Sequence, residues 1–517
     1  MFTILLTIVL ILVQNPVVLC YRIPLLKKSN CNTKAIYNDD DSISKKETSN
    51  ALPPWLPSFS TAAIGGLLFG SDIGSSSSVV RILGSPNGEF GSLDTLQLGQ
   101  IASTSLFGAM VASGLLIYLG DSKIGRKLEL QVASILFTLG TVIQSFSPSL
   151  NLIFIGRIIY GLGIGTAMHV APLFIAETSP NNLRGRLVSL KEAAIVLGIV
   201  LGYGAGALFG NSINGDSWRA VYESVLPLEF LMILGATIVP ESPRWLALRQ
   251  RPDEAIKSLQ QIQGLSEEAA IAEVNKMVMM TFSANEDKND VEPSLGDKMN
   301  EIFSSPYNKQ ALIIGVGLVL FQQLSGQPSV LYFANRIFEN AGLGFEAALG
   351  VGIFKFLMTL VSANLVESPK WGRRSLLLVG NAGVTLSLLS LSLLYYFGEG
   401  TADGPNQVGI IGCILAFVGS YQIGFGPITW LVLSEIFPLR IRSAAVSIGT
   451  LSNFASNLLV AGVFESERKY FGESLLFGQF TIIGFIAFIF TYVYVFETRG
   501  LSLEEIEKKL KEIVDGK

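Results

Sequence analysis

Long apolar runs recur along the chain beyond residue 57, and polar turns separate them. A membrane-spanning helix needs about 20 mostly apolar residues. Twelve runs approach this length, at 59–80, 98–119, 129–146, 152–175, 188–210, 221–239, 311–334, 345–366, 375–397, 408–433, 444–463 and 475–496. The pattern predicts an all-α polytopic membrane protein with twelve transmembrane helices in two pseudo-symmetric bundles of six.

A polar, helix-prone interval separates the sixth apolar run from the seventh and divides the chain into two halves. The expected organisation is an N-terminal targeting or disordered segment at 1–57, a first six-helix bundle at 58–240, a cytosolic helical linker at 241–308, a second six-helix bundle at 309–497 and a cytosolic tail at 498–517.

The two halves repeat the same charged pattern at the ends of their apolar runs. Glu177 and Glu435, which are 258 residues apart, are each followed seven residues later by an arginine. Arg126 and Arg373, which are 247 residues apart, each follow a glycine in a short basic cluster. A period of about 250 residues in so apolar a chain indicates a duplicated membrane bundle, and this architecture is typical of transporters.

Composition excludes several classes of protein. The chain is 50% hydrophobic and 15% charged, whereas ordinary soluble domains have about 25% charged residues. The net charge is −4 and no long basic block occurs, which disfavours nucleic-acid binding. The three cysteines lie far apart without metal-binding spacing, and no nucleophile–base pair or phosphate-binding loop is present. We therefore expect neither an enzyme nor a bound metal or cofactor.

Positive charge predicts the orientation in the membrane, because cytosolic loops are enriched in lysine and arginine. The loops after the second, fourth, sixth, eighth and tenth runs have this enrichment, whereas most of the opposite loops lean acidic. Both ends of the twelve-helix body are therefore expected on the cytosolic side. We also expect the protein to lie in a lipid bilayer and to work as a monomer.

The first 20 residues are a separate question. Phe2–Val13 is an apolar run too short to span a membrane alone, and the polar residues 21–57 follow it. One interpretation is a two-step targeting leader, as for a plastid bounded by extra membranes. The other is a plain thirteenth apolar segment. The plasma membrane, the vacuole and the plastid envelope all stay open as destinations, although the leader favours an organelle.

Four motifs in order resemble the sugar porter family of the major facilitator superfamily. They are Pro-Glu-Ser-Pro-Arg-Trp-Leu at 240–246, Gln-Gln-Leu-Ser-Gly-Gln at 322–327, Gly-Pro-Ile-Thr-Trp at 426–430 and Glu-Thr-Arg-Gly at 497–500. The resemblance covers about residues 58–510 and is strongest to plant vacuolar glucose transporters and D-xylose–proton symporter-like proteins. It implies two six-helix bundles that rock about a central site for a hexose, with glucose as the first candidate.

Ionisable residues inside a predicted span are candidates for function, because an unpaired charge in lipid costs several kcal/mol. The resemblance implies that Asp72 is the proton-binding carboxylate and Arg157 its partner. A permanent structural ion pair is the alternative. Glu192 stands where many members have a sugar-binding glutamine and is a second candidate for both proton and sugar binding. Neutralisation of Glu192 by a neighbouring base is equally open.

A sugar site needs neutral groups that both donate and accept hydrogen bonds, together with an aromatic face. The resemblance implies that these groups are Gln322, Gln323, Gln422, Trp430, Asn453 and Asn457. Amides inside helices also pack one helix against another, so each of them taken alone has a structural alternative.

Charges where helices leave the membrane predict a gating network that latches the two bundles on one side. Its residues are Arg126, Glu177, Arg184, Glu241, Arg244, Arg373, Glu435 and Arg442. Simple topology anchors are the alternative. Ser122 and Pro369 stand where the family has an acidic residue, so Arg126 and Arg373 are expected to lack their usual partners.

Three further polar residues in the predicted spans have no assigned role: Glu229, Lys355 and the lone His169, which we expect to be packed or pore-lining. Proton-coupled sugar symport is the leading function. Facilitated hexose diffusion, sugar–proton antiport across an organelle membrane and a non-transporting sugar sensor are the alternatives.

Overall fold

The computed structural model describes residues 53–85, 88–180, 184–210, 217–283, 295–340, 345–368, 370–398, 406–501 and 503–516. Within these ranges every regular element is a helix and no strand occurs. The predicted targeting leader lies outside the described residues.

Seven helices occur in the described residues of the first half. They are α1 (Leu56–Leu83), α2 (Thr95–Lys123), α3 (Arg126–Ser145), α4 (Leu150–Thr178), α5 (Arg184–Phe209), α6 (Ser217–Glu223) and α7 (Leu226–Ile238). The interval at 241–308 then contains α8 (Pro243–Leu248), α9 (Pro252–Gln263), α10 (Glu267–Ser283) and α11 (Leu295–Ser304).

In the second half, nine helices follow within the ranges that the structure describes. They are α12 (Pro306–Leu324), α13 (Gln327–Tyr332), α14 (Ala334–Asn340), α15 (Phe345–Glu367), α16 (Arg373–Gly398), α17 (Gln407–Ile423), α18 (Phe425–Glu435), α19 (Leu439–Tyr494) and α20 (Leu503–Val514). Several candidate spans consist of two helical pieces, as Pro306–Tyr332 does with α12 and α13.

Ten segments of the described chain are long and apolar enough to cross a membrane. One of them, Ala444–Tyr494, is interrupted at Gly472, where φ is 74° and ψ is 168°. It therefore contains two of the predicted spans. The first predicted span lies in α1, which is not among the ten because serines, glycines and Asp72 dilute its apolar content.

α1 is polar where a lipid-facing helix would be apolar, and it lies inside the protein. Its segment from Leu68 to Val80 is buried throughout, including the serine run Ser75–Ser78. Peripheral helices instead expose large apolar side chains such as Leu139, Phe230 and Leu386. The outer helices thus face lipid, and α1 is shielded from it by its neighbours.

Glycine allows α1 and α5 to touch along their backbones. A Cβ atom at Gly70 would lie 1.8 Å from the Ile195 carbonyl oxygen, and one at Gly198 would lie 2.0 Å from the Leu67 carbonyl oxygen. Close backbone approach of this kind is how small residues join helices in membranes. Asp72 is two residues from Gly70, so it lies on the opposite side of α1 and faces away from α5.

The two halves are in contact at the C-terminal end of α1. Asn335 on α14 lies beside the serine run of α1. Its backbone N–H donates to Ser77 Oγ at 3.0 Å, and its side-chain amide nitrogen donates to Ser78 Oγ at 3.0 Å. Nearby, the Tyr203 hydroxyl of α5 donates to the Leu331 carbonyl oxygen at 2.7 Å. These contacts join the two halves at that end.

Candidate transport site

A buried ion pair joins the first transmembrane helix to the fourth. Arg157 Nη1 lies 3.0 Å from Asp72 Oδ1, and Nη2 lies 3.4 Å from Oδ2. Ser105 on α2 adds a hydroxyl that donates to Asp72 Oδ2 at 2.7 Å. Arg157 is fully buried and Asp72 nearly so. The structure therefore brings together the two residues that the sequence singled out for proton coupling.

Neutral groups complete the surroundings of the Arg157 guanidinium. Nη1 donates to the Tyr222 hydroxyl at 3.1 Å, and Nη2 donates to Ser105 Oγ at 2.9 Å and to the Ala102 carbonyl oxygen at 3.4 Å. Nε has no hydrogen-bond partner among the described residues. The sequence analysis missed Ser105 and Tyr222, because no spacing or motif distinguishes them from the other hydroxyl residues of these helices.

Gln322 lies at the C-terminal end of α12, beside the start of α18. Its Nε2 donates to the Phe425 carbonyl oxygen at 2.7 Å and approaches the Gly426 carbonyl oxygen at 3.4 Å. Its Oε1 is buried and has no partner in the described structure. The amide is thus held by its nitrogen, and an acceptor is left available.

Four more of the predicted sugar-binding groups lie on α18 and α19 or face them. The amide of Gln323 donates to Asn453 Oδ1 and so joins α12 to α19. Asn457, one turn further along α19, has a buried Oδ1 that lacks a partner in the described ranges. Trp430 on α18 is half-buried. These residues supply the amides and the aromatic face that a sugar site requires.

Gln422 is held by a lysine rather than by the backbone. Lys355 Nζ on α15 donates to Gln422 Oε1 at 3.0 Å, and both side chains are buried. The same ammonium lies 5.1 Å from the ring centroid of Tyr421. Gln422 Nε2 is buried without a partner among the described residues. Lys355, for which the sequence suggested no role, thus belongs to the predicted sugar site.

Glu192 on α5 is half-buried and lies apart from the ion pair of the first half. Its charged neighbours are Lys191, which precedes it, and Lys355 of the second half. The described contacts of Asp72 and Arg157 do not include Glu192. The structure therefore groups Glu192 with the sugar-site candidates.

Glu229 and His169, for which the sequence suggested no role, have partners inside the first half. Glu229 on α7 accepts a hydrogen bond from Thr141 on α3 at 2.5 Å. His169 Nδ1 on α4 lies 2.9 Å from Glu129 Oε2 on α3. The sequence analysis missed Glu129, which begins the third predicted span. No group of three potential metal-binding side chains occurs in the described part of the chain.

Charged contacts at the N-terminal end of α3 involve three of the predicted gating residues. Arg126 Nε lies 3.4 Å from Glu177 Oε2, and Ser242 Oγ donates to the same oxygen at 2.6 Å. Glu241 accepts hydrogen bonds from the backbone N–H groups of Lys127 and Ser242, at 3.0 and 2.8 Å. Burial raises the pKa of the Glu241 carboxyl above its ordinary value, and these backbone donors oppose that increase.

The second half repeats this arrangement with different residues. Arg373 Nη2 lies 2.7 Å from Glu435 Oε1, and Thr498 Oγ1 donates to Glu435 Oε2 at 3.0 Å. Glu497 accepts from the backbone N–H of Arg373 at 2.8 Å, as Glu241 does at the start of α3. Arg442 donates to the Phe437 carbonyl oxygen at 3.0 and 3.1 Å.

These ion pairs show which acids Arg126 and Arg373 contact in place of the family's usual partner. Although the family's usual acid is displaced in each half, Glu177 and Glu435 bind the two guanidiniums. Each of these ion pairs lies within its own half, so neither joins the two halves as a latch would. Arg244 is exposed at the start of α8, and the side chain of Arg184 lies outside the described part of the structure.

Comparison with known proteins identifies the fold. The family model described as "Sugar (and other) transporter" matches residues 59–510. The solved structure of the proton:xylose symporter XylE, bound to 6-bromo-6-deoxy-D-glucose, superimposes with a TM-score of 0.72 at 26% identity and covers 88% of this chain and 99% of that one. The expected fold class is confirmed.

Curated relatives show the same relationship over most of the chain. The D-xylose-proton symporter-like 3, chloroplastic, of Arabidopsis thaliana is 41% identical over 467 residues, which are 87% of this chain and 81% of the relative. The glucose transporter GlcP of Staphylococcus epidermidis is 32% identical over 458 residues, 88% of this chain and 97% of the relative. The chain thus belongs to the sugar porter family of the major facilitator superfamily and is a membrane transporter rather than an enzyme.

Proposed function

We propose that this protein transports a monosaccharide together with a proton by alternating access, and that a hexose such as glucose is the substrate. The observation that supports proton coupling is the fully buried pair of Asp72 and Arg157 with its Ser105 donor. Relatives named for xylose–proton symport and for glucose transport support the choice of substrate class and of coupling ion.

The buried pair is the element that responds to a proton. Neutralising one partner of a buried ion pair leaves the other uncompensated and costs about 3–5 kcal/mol. Protonation of Asp72 therefore requires Arg157 to find other acceptors, and Tyr222 and the Ala102 carbonyl oxygen are already in contact with it. A conformation in which these neutral groups suffice binds the proton, and the conformation seen here, with the pair intact, favours its release.

The response of the buried pair to a proton is useful for transport when each half moves as a rigid body. The pairs of Arg126 with Glu177 and of Arg373 with Glu435 tie together helix ends within each half. The contacts from Asn335 and Tyr203 hold the two halves together at one end. We therefore infer that the charged motifs stabilise each bundle and that the neutral contacts form the gate between the bundles.

Unpaired amide atoms define the sugar site. Gln322 Oε1 and Asn457 Oδ1 are acceptors without partners in the described structure, and Gln422 Nε2 is a donor without one. A buried polar atom left unsatisfied costs about 1–3 kcal/mol. Sugar hydroxyls both donate and accept, so one bound monosaccharide can satisfy all three atoms. Trp430 supplies the aromatic face against which a sugar ring packs.

An organelle membrane is the destination that we propose, with the plastid envelope first. The protein spans its membrane several times, and its first 50 residues combine an apolar run with a polar segment in the pattern of a two-step leader. A relative that is 41% identical has "chloroplastic" in its name.

Asp72→Asn should abolish accumulation of sugar against its gradient and preserve sugar exchange, because the amide cannot carry the proton. The measurement is uptake into proteoliposomes with an imposed pH gradient, beside exchange at equal pH, using several hexoses and pentoses. Asp253→Asn, at an exposed acid in α9, is the matched control and should behave as wild type. Accumulation at the wild-type level in Asp72→Asn would contradict the assignment.

Gln322→Ala and Trp430→Ala should each weaken sugar affinity about tenfold, since one lost hydrogen bond or stacking face costs roughly 1–3 kcal/mol. Apparent affinities from exchange kinetics, with the amount of folded transporter measured in parallel, check this. Asn364→Ala removes an exposed amide that bonds only the carbonyl of its own helix and serves as control. Unchanged affinity in both test variants for every sugar would place the sugar elsewhere.

A chain that begins at Leu52 should transport normally in reconstituted liposomes and reach the wrong membrane in its native cell, because residues 1–50 then act only in delivery. Fluorescent fusions of the full and shortened chains, with uptake assayed in parallel, measure both properties. Normal localisation of the shortened chain would show that the segment has no address. Loss of transport would show that it belongs to the working bundle.

A further inference from the structure

Two buried glutamines of the second half are held from opposite ends. Gln322 is fixed by its nitrogen, which donates to the Phe425 carbonyl oxygen. Gln422 is fixed by its oxygen, which accepts from Lys355. The remaining atom of each amide is buried and unpartnered within the described ranges. The pair therefore offers one acceptor and one donor.

The chemistry of the partners determines which amide atom is which. An ammonium has donors and no acceptor, so the Gln422 atom that lies 3.0 Å from Lys355 Nζ must be the oxygen. A carbonyl oxygen only accepts, so the Gln322 atom that lies 2.7 Å from Phe425 O must be the nitrogen. Rotating either amide by 180° would set two like groups against each other. Neither amide can therefore exchange its donor for its acceptor.

The two amide groups lie close to the same residue in the fold. Gln422 packs against Gly426, where a Cβ atom would lie 2.8 Å from Gln422 Nε2. Gln322 Nε2 lies 3.4 Å from the carbonyl oxygen of the same Gly426. Both amides thus converge on the first residue of the Gly-Pro-Ile-Thr-Trp motif, four residues before Trp430.

We propose that Lys355 is a positioning residue that sets the hydrogen-bonding polarity of the sugar site, by holding Gln422 so that its Nε2 donates to one sugar hydroxyl while Gln322 Oε1 accepts from another. This rests on the proposed function and adds a rule of specificity to it. The hydroxyl that faces Gln422 needs only to accept, whereas the hydroxyl that faces Gln322 must donate.

The surroundings of Lys355 suit this role better than a role in packing. A lysine in a membrane bundle is a costly way to fill a volume, since a buried charge requires compensation. Its ammonium is balanced by the Gln422 oxygen, by the face of Tyr421 and, across the boundary between the halves, by Glu192. α15 reaches α5 closely, because Gly352 packs on Tyr203. The hydrogen bond to Gln422 and the contact with Tyr421 restrain the position of the ammonium and hence the orientation of Gln422.

Sugar analogues test the polarity of each contact directly. A deoxyfluoro sugar keeps an acceptor where the hydroxyl was and loses the donor, whereas a deoxy sugar loses both. In the wild type, one ring position should tolerate fluorine and bind the deoxy analogue about five- to tenfold more weakly, as one lost hydrogen bond predicts. A second position should lose affinity equally with both analogues. Absence of any fluorine-tolerant position would overturn the proposal.

Lys355→Met should remove the preference for the deoxyfluoro analogue at the tolerant position, because the freed Gln422 amide can rotate. It should also raise the KM of the parent sugar about tenfold with kcat for exchange nearly unchanged. Lys355→Arg, which again presents a donor to Gln422, should restore the preference. Lys370→Met, at an exposed lysine, is the matched control. A preserved fluorine preference in Lys355→Met would overturn the proposal.

Gln422→Glu is the second variant and keeps the lysine paired. It replaces the free donor with an acceptor, so the tolerant position should now reject fluorine and accept the hydroxyl. An unchanged analogue pattern in this variant would also overturn the proposal. If the wild type binds no monosaccharide at all, the proposed function itself fails. If the wild type binds sugars and the variants keep its pattern, only the role of Lys355 fails.

Discussion

Arg157 has a positive charge that arginine retains at any physiological pH, and it lies where neither water nor lipid headgroups reach it. Such a charge must be compensated inside the bundle. Asp72 supplies the countercharge, and Ser105 and Tyr222 supply the remaining contacts. This requirement explains why the first helix is too polar to face lipid. α1 packs against α5 through glycines, and Asp72 lies on its other side, toward α2 and α4.

Charged contacts lie within the parts that stay together, whereas neutral contacts lie between the parts that move. Ion pairs such as those of Arg126 and Arg373 lie within a half, and they are costly to break when partly buried. The hydrogen bonds of Asn335 and Tyr203 cross between the halves, and they are neutral. Neutral bonds can be exchanged for water at about 1 kcal/mol each. A bundle that rocks as a rigid body at such a boundary fits alternating access.

Much of the fold could be predicted from the sequence, since apolar runs of about 20 residues report directly on spanning helices. The pairing of Asp72 with Arg157 was implied by the family resemblance, and the two side chains are in contact in the structure. The partners of Arg126 and Arg373 could not be predicted, because the family's usual acids are displaced and because Glu177 and Glu435 lie far away in the sequence. Hydroxyl partners such as Ser105 are too common in these helices to stand out.

The sugar site shows the same limit in a different form. Its amides could be named from the motifs, whereas their orientation could not, because the donor and acceptor ends of a glutamine are equivalent in a sequence. Lys355 and Gln422 are 67 residues apart, and only the packing of α15 beside α17 shows that one fixes the other. Polarity of hydrogen bonding is thus a property of the folded bundle.

Proton movement driven by sugar alone tests the central claim most directly. Proteoliposomes containing the wild-type protein and a trapped pH indicator would receive external sugar at equal pH on both sides, with the membrane potential clamped. The coupled mechanism predicts that downhill sugar entry acidifies the lumen, in proportion to the sugar that enters. Sugar entry with no change in luminal pH, or with luminal alkalinisation, would contradict it.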